Sequence, residues 1–227
     1  MDAPADKRPA LPGLVFFDLD ETITRYDTLL PYAMRHLLLR RPWRIPLLLG
    51  VVPPVINFIL GRGTEGPVKQ AFIKATLGGL RRTDIEAWTA RFVPHVIAHG
   101  TFADALKKVS EHRSRGDYLV LMSASTDLYV PAIARELGFN ETICTEVRWD
   151  ADRLEGTLTT PNRKGVEKAR CFKALRERHP GLATTAYGNS QTDLPHLRLA
   201  DHGVLVNGSE KARREAKELG VSCADWR

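Results

Sequence analysis

Asp18 and Asp20 stand two residues apart at the end of Leu14-Val-Phe-Phe-Asp-Leu-Asp20, a short apolar run that follows Pro12-Gly13. The run fits a buried parallel strand, and a period of two puts both carboxylates on one face at its C-terminal end. That edge of an open α/β sheet is where ligands bind. Two carboxylates held so close need either a cation or a shared proton. A bare Asp-x-Asp is equally an acidic turn at a strand end, so its meaning depends on the residues around it.

Three further segments bear on that meaning. Ser123, in Leu121-Met-Ser-Ala-Ser125, closes a second apolar run that begins at Tyr118. Its hydroxyl and the exposed amides around Ala124 suit phosphate oxygens. Lys168 lies early in a helix, in Lys164-Gly-Val-Glu-Lys168, where an ammonium meets phosphate and carboxylate charge. Asn189 and Asp193, in Tyr187-Gly-Asn-Ser-Gln-Thr-Asp193, offer oxygen ligands for a hard cation. Each segment alone is weak, but together they follow one order along the chain, each at a strand or helix edge.

The elements that must position these residues are legible from periodicity. Strands are expected at 14–20, 118–123, 184–188 and 202–207. Helices are expected at about 101–115, 128–137, 165–178 and 209–219. Residues 143–160 alternate and then turn at Asp150–Arg153, as a strand and a hairpin do. Strands alternating with helices predict an α/β fold, a doubly wound parallel sheet. The stretch from Asp27 to about Phe102 breaks that rhythm, being far longer than the dozen or so residues a crossover needs. It predicts a helical insert whose first helix carries Leu29, Leu30, Ala33, Met34, Leu37 and Leu38 at helical spacing, with Asp27 as its cap.

Asp18-Leu-Asp20-Glu-Thr22, Ser123, Lys168 and Gly188-Asn-Ser-Gln-Thr-Asp193 together resemble the haloacid dehalogenase (HAD) superfamily, in its phosphatase branch and phosphoserine-phosphatase-like subfamily IB. The resemblance covers nearly the whole chain from Leu14. It implies a Rossmann-like core, 1–26 and 103–227, with a helical cap, 27–102, inserted after the first strand. It implies a phosphomonoester hydrolase in which Asp18 attacks phosphorus and Asp20 first protonates the leaving alcohol, then activates water. Ser123, with Ala124, and Lys168 would bind the phosphoryl oxygens, and Thr22 would assist. Mg²⁺ would be held by Asp18, the Asp20 carbonyl and Asn189, with Asp193 in support. Such chemistry asks for alignment and charge neutralisation. The family usually has Asp where this chain has Asn189, which predicts weaker metal binding. The alternative is a catalytically weakened phosphoryl-binding or membrane-docking module.

Charge narrows the partners. The formal charge is +6, yet residues 28–83 hold nine basic residues against Glu65 alone, a balance of +8, which leaves −2 for the rest. One segment therefore carries the positive excess, pointing to a local anionic partner. Ile45–Leu60 is apolar but broken by Pro46, Pro53 and Pro54, and is flanked by Trp43, Arg40, Arg41, Arg44 and Arg62. It predicts either peripheral contact of 35–62 with an anionic membrane or a cap core packed on the first insert helix. The stretch from Phe16 to Arg62 also resembles HAD-type bacterial phosphatidylglycerophosphate phosphatases, which implies a lipid phosphate. Soluble monoesters such as phosphoserine or histidinol phosphate stay open. The basic residues are not interleaved with aromatics as in nucleic-acid binders, so no nucleic acid is expected. His95, His99, His112 and His196 have no ligand spacing and are expected to be surface or hydrogen-bonded residues. Three widely spaced cysteines and an N-terminus without an apolar stretch, read as a frayed leader, predict a cytoplasmic protein.

Overall fold

The computed structural model describes residues 12–227; the reading of the N-terminal leader falls largely outside the described residues. The strands are β1 (Leu14–Phe17), β2 (Tyr118–Thr126), β3 (Glu141–Thr145), β4 (Val147–Asp150), β5 (Arg153–Leu158), β6 (Thr184–Gly188), β7 (His202–Val206) and β8 (Ser222–Ala224). Six of them form one parallel sheet in the order β3-β2-β1-β6-β7-β8. The order runs outward in both directions from β1, so the point where it reverses, and where a crevice opens at the strand ends, lies between β1 and β6. The short β8 carries no apolar run and is the strand that periodicity does not announce.

All four residues of β1 are buried, as a central parallel strand covered on both faces requires. Val15 and Phe17 join one apolar cluster while Leu14 and Phe16 join the other. Each phenylalanine buried this way contributes on the order of 2 kcal/mol. The helices are α1 (Leu29–Arg40), α2 (Val52–Ile59), α3 (Glu65–Thr76), α4 (Arg82–His99), α5 (Ala103–Ser114), α6 (Val130–Leu137), α7 (Val166–Arg178), α8 (Leu194–Leu197) and α9 (Glu210–Glu218). A 3₁₀ segment, Pro42–Val51, joins α1 to α2. The cysteines Cys144, Cys171 and Cys223 are free.

The insert between β1 and β2 consists of α1 to α4 and the 3₁₀ segment. Asp27 Oδ1 accepts from the backbone N–H groups of Leu29 (3.0 Å) and Leu30 (3.2 Å), satisfying donors in the first turn of α1. Leu29, Tyr32, Ala33 and Leu37 of α1 and Ile73 of α3 are buried. The antiparallel hairpin β4–β5 leaves the main sheet and bonds to the α3–α4 turn, through Leu154 N to Leu80 O and Gly79 N to Leu154 O. One expectation is overturned. The apolar run from Pro42 to Ile59 contains no buried residue, so it is not a core packed on α1. Its prolines break it into two short helices lying over α3, and the buried positions of α1 are satisfied instead by α3, α4 and Tyr129.

Candidate active site

β1 ends at Phe17, and Asp18 through Thr24 turn sharply, with Ile23 N and Thr24 N both returning to Leu19 O at 2.9 Å. Glu21 sits at φ 58°, a left-handed conformation that a non-glycine residue adopts at a cost. The turn leaves Asp18 and Asp20 on one cavity wall at the sheet's C-terminal edge, joined there by Ser125, Lys168, Asn189 and Asp193.

Lys168 organises the floor. α7 begins after Gly165, whose φ of 59° lets the chain enter the helix so that Lys168 follows within its first turn. Its Nζ lies 2.7 Å from Asp18 Oδ1 and 2.7 Å from Asp193 Oδ1, and the ammonium is fully buried. Burial opposes its charge, but Asp18 and Asp193 hold its pKa above the ordinary lysine value. Burial likewise works against the Asp193 carboxylate, yet Lys168 keeps it well below the usual range. Asp18 goes the other way. Burial, with Asp193 and Asp20 close by, raises it to about 7 against the pull of Lys168. A desolvated carboxylate of this kind gains from any added cation.

Each oxygen has a distinct environment. Asp18 Oδ1 accepts from Leu19 N at 2.8 Å as well as from Lys168, whereas Oδ2 has no donor among the described residues. Asp20 Oδ1 accepts from Thr28 N (2.7 Å) and Thr28 Oγ1 (2.6 Å), and its Oδ2 from Ser125 Oγ (2.6 Å) and Ser123 Oγ (3.2 Å). Asp193 Oδ2 accepts from Asn189 N, Ser190 N and Ser190 Oγ. Asp193 therefore has both oxygens engaged and acts on the loop and on Lys168. Asn189 Nδ2 donates to Glu21 Oε2 at 2.9 Å, which leaves its carbonyl oxygen for other use. Ala124 lines the cavity, while Ser123 and Thr22 are completely buried behind it. Thr22 Oγ1 has no hydrogen-bond partner among the described residues.

The oxygens fit Mg²⁺. Among the described residues no three His, Cys, Asp or Glu side chains are grouped to cage a metal. Mg²⁺ does not ask for such a cage, since it keeps several waters and takes one or two carboxylates plus substrate phosphate. Asp18, the Asp20 carbonyl and the Asn189 amide oxygen make a donor set of that hard kind.

Sequence reasoning missed the cavity's outer ring. Asp27, Glu65, Lys69 and Lys164 line the same space. Lys69 Nζ of α3 donates to Ala124 O at 2.7 Å and to Asn162 Oδ1, reaching from the insert across to β2. Burial lowers its pKa to about 8, although Asp20, Glu65 and Asp27 pull it upward. Lys164 Nζ contacts both carboxylate oxygens of Glu65, at 2.7 and 2.9 Å. Ser125 had a signal, because a period of two from Ser123 places it on the same face. Lys69 had none.

The model of the haloacid dehalogenase-like hydrolases matches residues 15–198, which include every predicted site residue. This chain belongs to that family. Protein CicA of Caulobacter vibrioides is 30% identical over 195 residues, covering 84% of each chain. Phosphoserine phosphatase SerB1 of Mycobacterium tuberculosis is 25% identical over 233 residues, covering 99% of this chain and 75% of that one. A Bordetella pertussis crystal structure of a protein with unknown function superposes with a TM-score of 0.75 at 22% identity, over 94% of this chain and 98% of the other, and shares the fold. The segments expected to carry chemistry in this hydrolase thus meet at the sheet edge where the parallel order reverses.

Proposed function

We propose that this hydrolase is a Mg²⁺-dependent phosphomonoesterase that works through a phosphoryl group carried on Asp18. The observation that carries the reading is Lys168 holding Asp18 Oδ1 while Oδ2 is left without a donor. A nucleophile with one oxygen tethered presents the other in a defined direction. Residues 27–102 act as the cap over this centre, and α3 delivers Lys69 from it.

Asp18 Oδ2 attacks phosphorus and the ester P–O bond breaks. Asp20 gives its proton to the departing alcohol oxygen. Thr28 donates twice and fills the acceptor positions of Asp20 Oδ1, so the proton is handled at Oδ2, where the Ser125 hydroxyl can rotate between donating and accepting. Asp20 then takes a proton from water, the water oxygen attacks phosphorus, and the bond to Asp18 breaks, releasing inorganic phosphate. Lys168 offsets negative charge throughout and Asp193 keeps it aimed. Mg²⁺, held by Asp18, the Asp20 carbonyl and Asn189, would neutralise the phosphoryl oxygens and lower the repulsion between phosphate and carboxylate.

The outer ring supports a small alcohol bearing ionised groups as the leaving part. Asp27 suits an amine and Lys69 a carboxylate, while Glu65 and Lys164 pair with each other at the rim. The relative named phosphoserine phosphatase is consistent with that polarity. The test is a panel of soluble and lipid monoesters with and without Mg²⁺, run beside Asp18→Asn. Mg²⁺-dependent turnover lost by about 10⁴-fold or more in the variant is expected. Metal-independent turnover that survives the substitution refutes the mechanism, and a preference for lipid monoesters refutes the substrate class.

A further inference from the structure

The segment Pro42–Ile59 stays in water although its composition favours burial. Trp43 is 71% exposed, Leu49 73% and Ile59 75%. An apolar surface of this extent on a folded chain marks a face that something covers. At 18 residues with a mean hydropathy of 1.4 it is long and apolar enough to cross a membrane. The tertiary structure forbids crossing. α1 before it and α3 after it enter the same core through Tyr32 and Ile73, so both ends return to one side. Arg44 ties the 3₁₀ segment down by donating to the carbonyls of Lys74 and Ala75 near the end of α3.

Charge identifies the cover. Arg40 and Arg41 precede the apolar segment and Arg62 follows it, within the 28–83 stretch whose balance is +8. Beside its start lies a hollow of about 300 Å³ whose wall includes His36, Arg40, Arg41, Asp84, Trp88 and Arg91. His36 is 4% exposed and its Nδ1 has no partner among the described residues. Guanidinium groups lining a hollow of this size suit phosphate oxygens, and the exposed Trp43, two residues beyond Arg41, suits the boundary between headgroups and acyl chains.

We propose that this face is a peripheral anchor for an anionic phospholipid bilayer. Residues 42–60 lie in the headgroup–acyl boundary, and the hollow between Arg40, Arg41 and Arg91 takes a headgroup phosphate. The anchor is separate from the catalytic centre.

The test is co-sedimentation of the full chain with vesicles of phosphatidylcholine alone or of equimolar phosphatidylcholine and phosphatidylglycerol. Binding to the anionic vesicles that weakens with salt is expected. Leu49→Asp combined with Ile59→Asp should abolish it, and Arg40→Gln with Arg91→Gln should weaken it by about tenfold. Both variants should hydrolyse an aryl phosphate as the unmodified chain does, which separates failure of the anchor from failure of the catalytic reading. No vesicle binding at low ionic strength overturns the proposal, as does equal binding by the variants. Dimers that Leu49→Asp dissociates, with no vesicle binding, assign the face to a second copy instead.

Discussion

Thr28 donates to one oxygen of Asp20 twice, through its backbone N–H at 2.7 Å and its hydroxyl at 2.6 Å. The same hydroxyl lies 2.9 Å from Tyr129 Oη, so Asp20, the proposed acid/base group, is tied to the start of α1 and to the residue preceding α6. Thr28 positions Asp20 without facing the substrate. Thr28→Val should lower kcat by roughly 10- to 100-fold while leaving KM nearly unchanged. Thr28→Ser should restore most of it. Steady-state kinetics of the three proteins check this, and a Val variant with unchanged kcat removes Thr28 from the mechanism.

Glu21 sets beside the neutral Asn189 the negative charge that an aspartate at 189 would itself supply. Asn189 offers a neutral oxygen, and Glu21 accepts its amide hydrogen from 2.9 Å away. Glu21→Gln should raise the Mg²⁺ concentration for half-maximal activity several-fold. Asn189→Asp should lower it by about tenfold, less whatever repulsion Glu21 adds. Mg²⁺ titrations of activity, with calorimetry of Mg²⁺ binding, decide between these outcomes and no change.

Lys69 should give the substrate affinity a basic limb. With a pKa lowered to about 8 by burial, the amine is charged below that pH and neutral above it. KM for a monoester bearing a carboxylate should therefore rise as pH passes upward through about 8. Lys69→Met should raise KM at neutral pH and remove the limb, while Lys69→Arg should keep KM low to higher pH. KM measured against pH for the three proteins provides the check.

His196 should govern acid stability. It is completely buried, with neither ring nitrogen hydrogen-bonded among the described residues, which corrects its expected role as a surface or hydrogen-bonded residue. Burial lowers its pKa from 6.5 to about 3, despite the nearby Asp193. Below the ordinary value the unfolded chain binds a proton that the folded chain refuses. The stability present above 6.5 is thus lost as pH falls toward 3, at about 1.4 kcal/mol per pH unit. His196→Leu should flatten that decline, seen as a smaller drop in Tm between about pH 7 and pH 5. An unchanged decline would show that other groups carry the acid limb.

The parallel sheet and its motifs were readable because each rests on local pattern. Leu14–Phe17 had to be a buried strand once every residue in it was apolar, and Asp18 had to follow at its end. Lys168 and Gly188–Asp193 were readable for the same reason, each standing at a helix or strand edge, whereas Ser123 lies within β2, which runs on to Thr126. The Asp27 cap was also legible, from its place immediately before an amphipathic run. The fate of Ile45–Leu60 was not, since an apolar run has the same composition whether it lies inside or outside.

The Asp18–Asp20 pair and its company are properties of the chain order, because strand ends and side-chain alternation are decided within a few residues. What only the tertiary structure decided is which distant groups converge on that pair. Thr28 clamps Asp20, Lys69 crosses from α3 to Ala124, and Glu21 answers Asn189. Those contacts depend on how the insert closes over the sheet and how loops from β1 and β6 meet. That packing is set by the burial of Tyr32, Ile73 and Phe92 against one another, a sum over the whole core that no local pattern records.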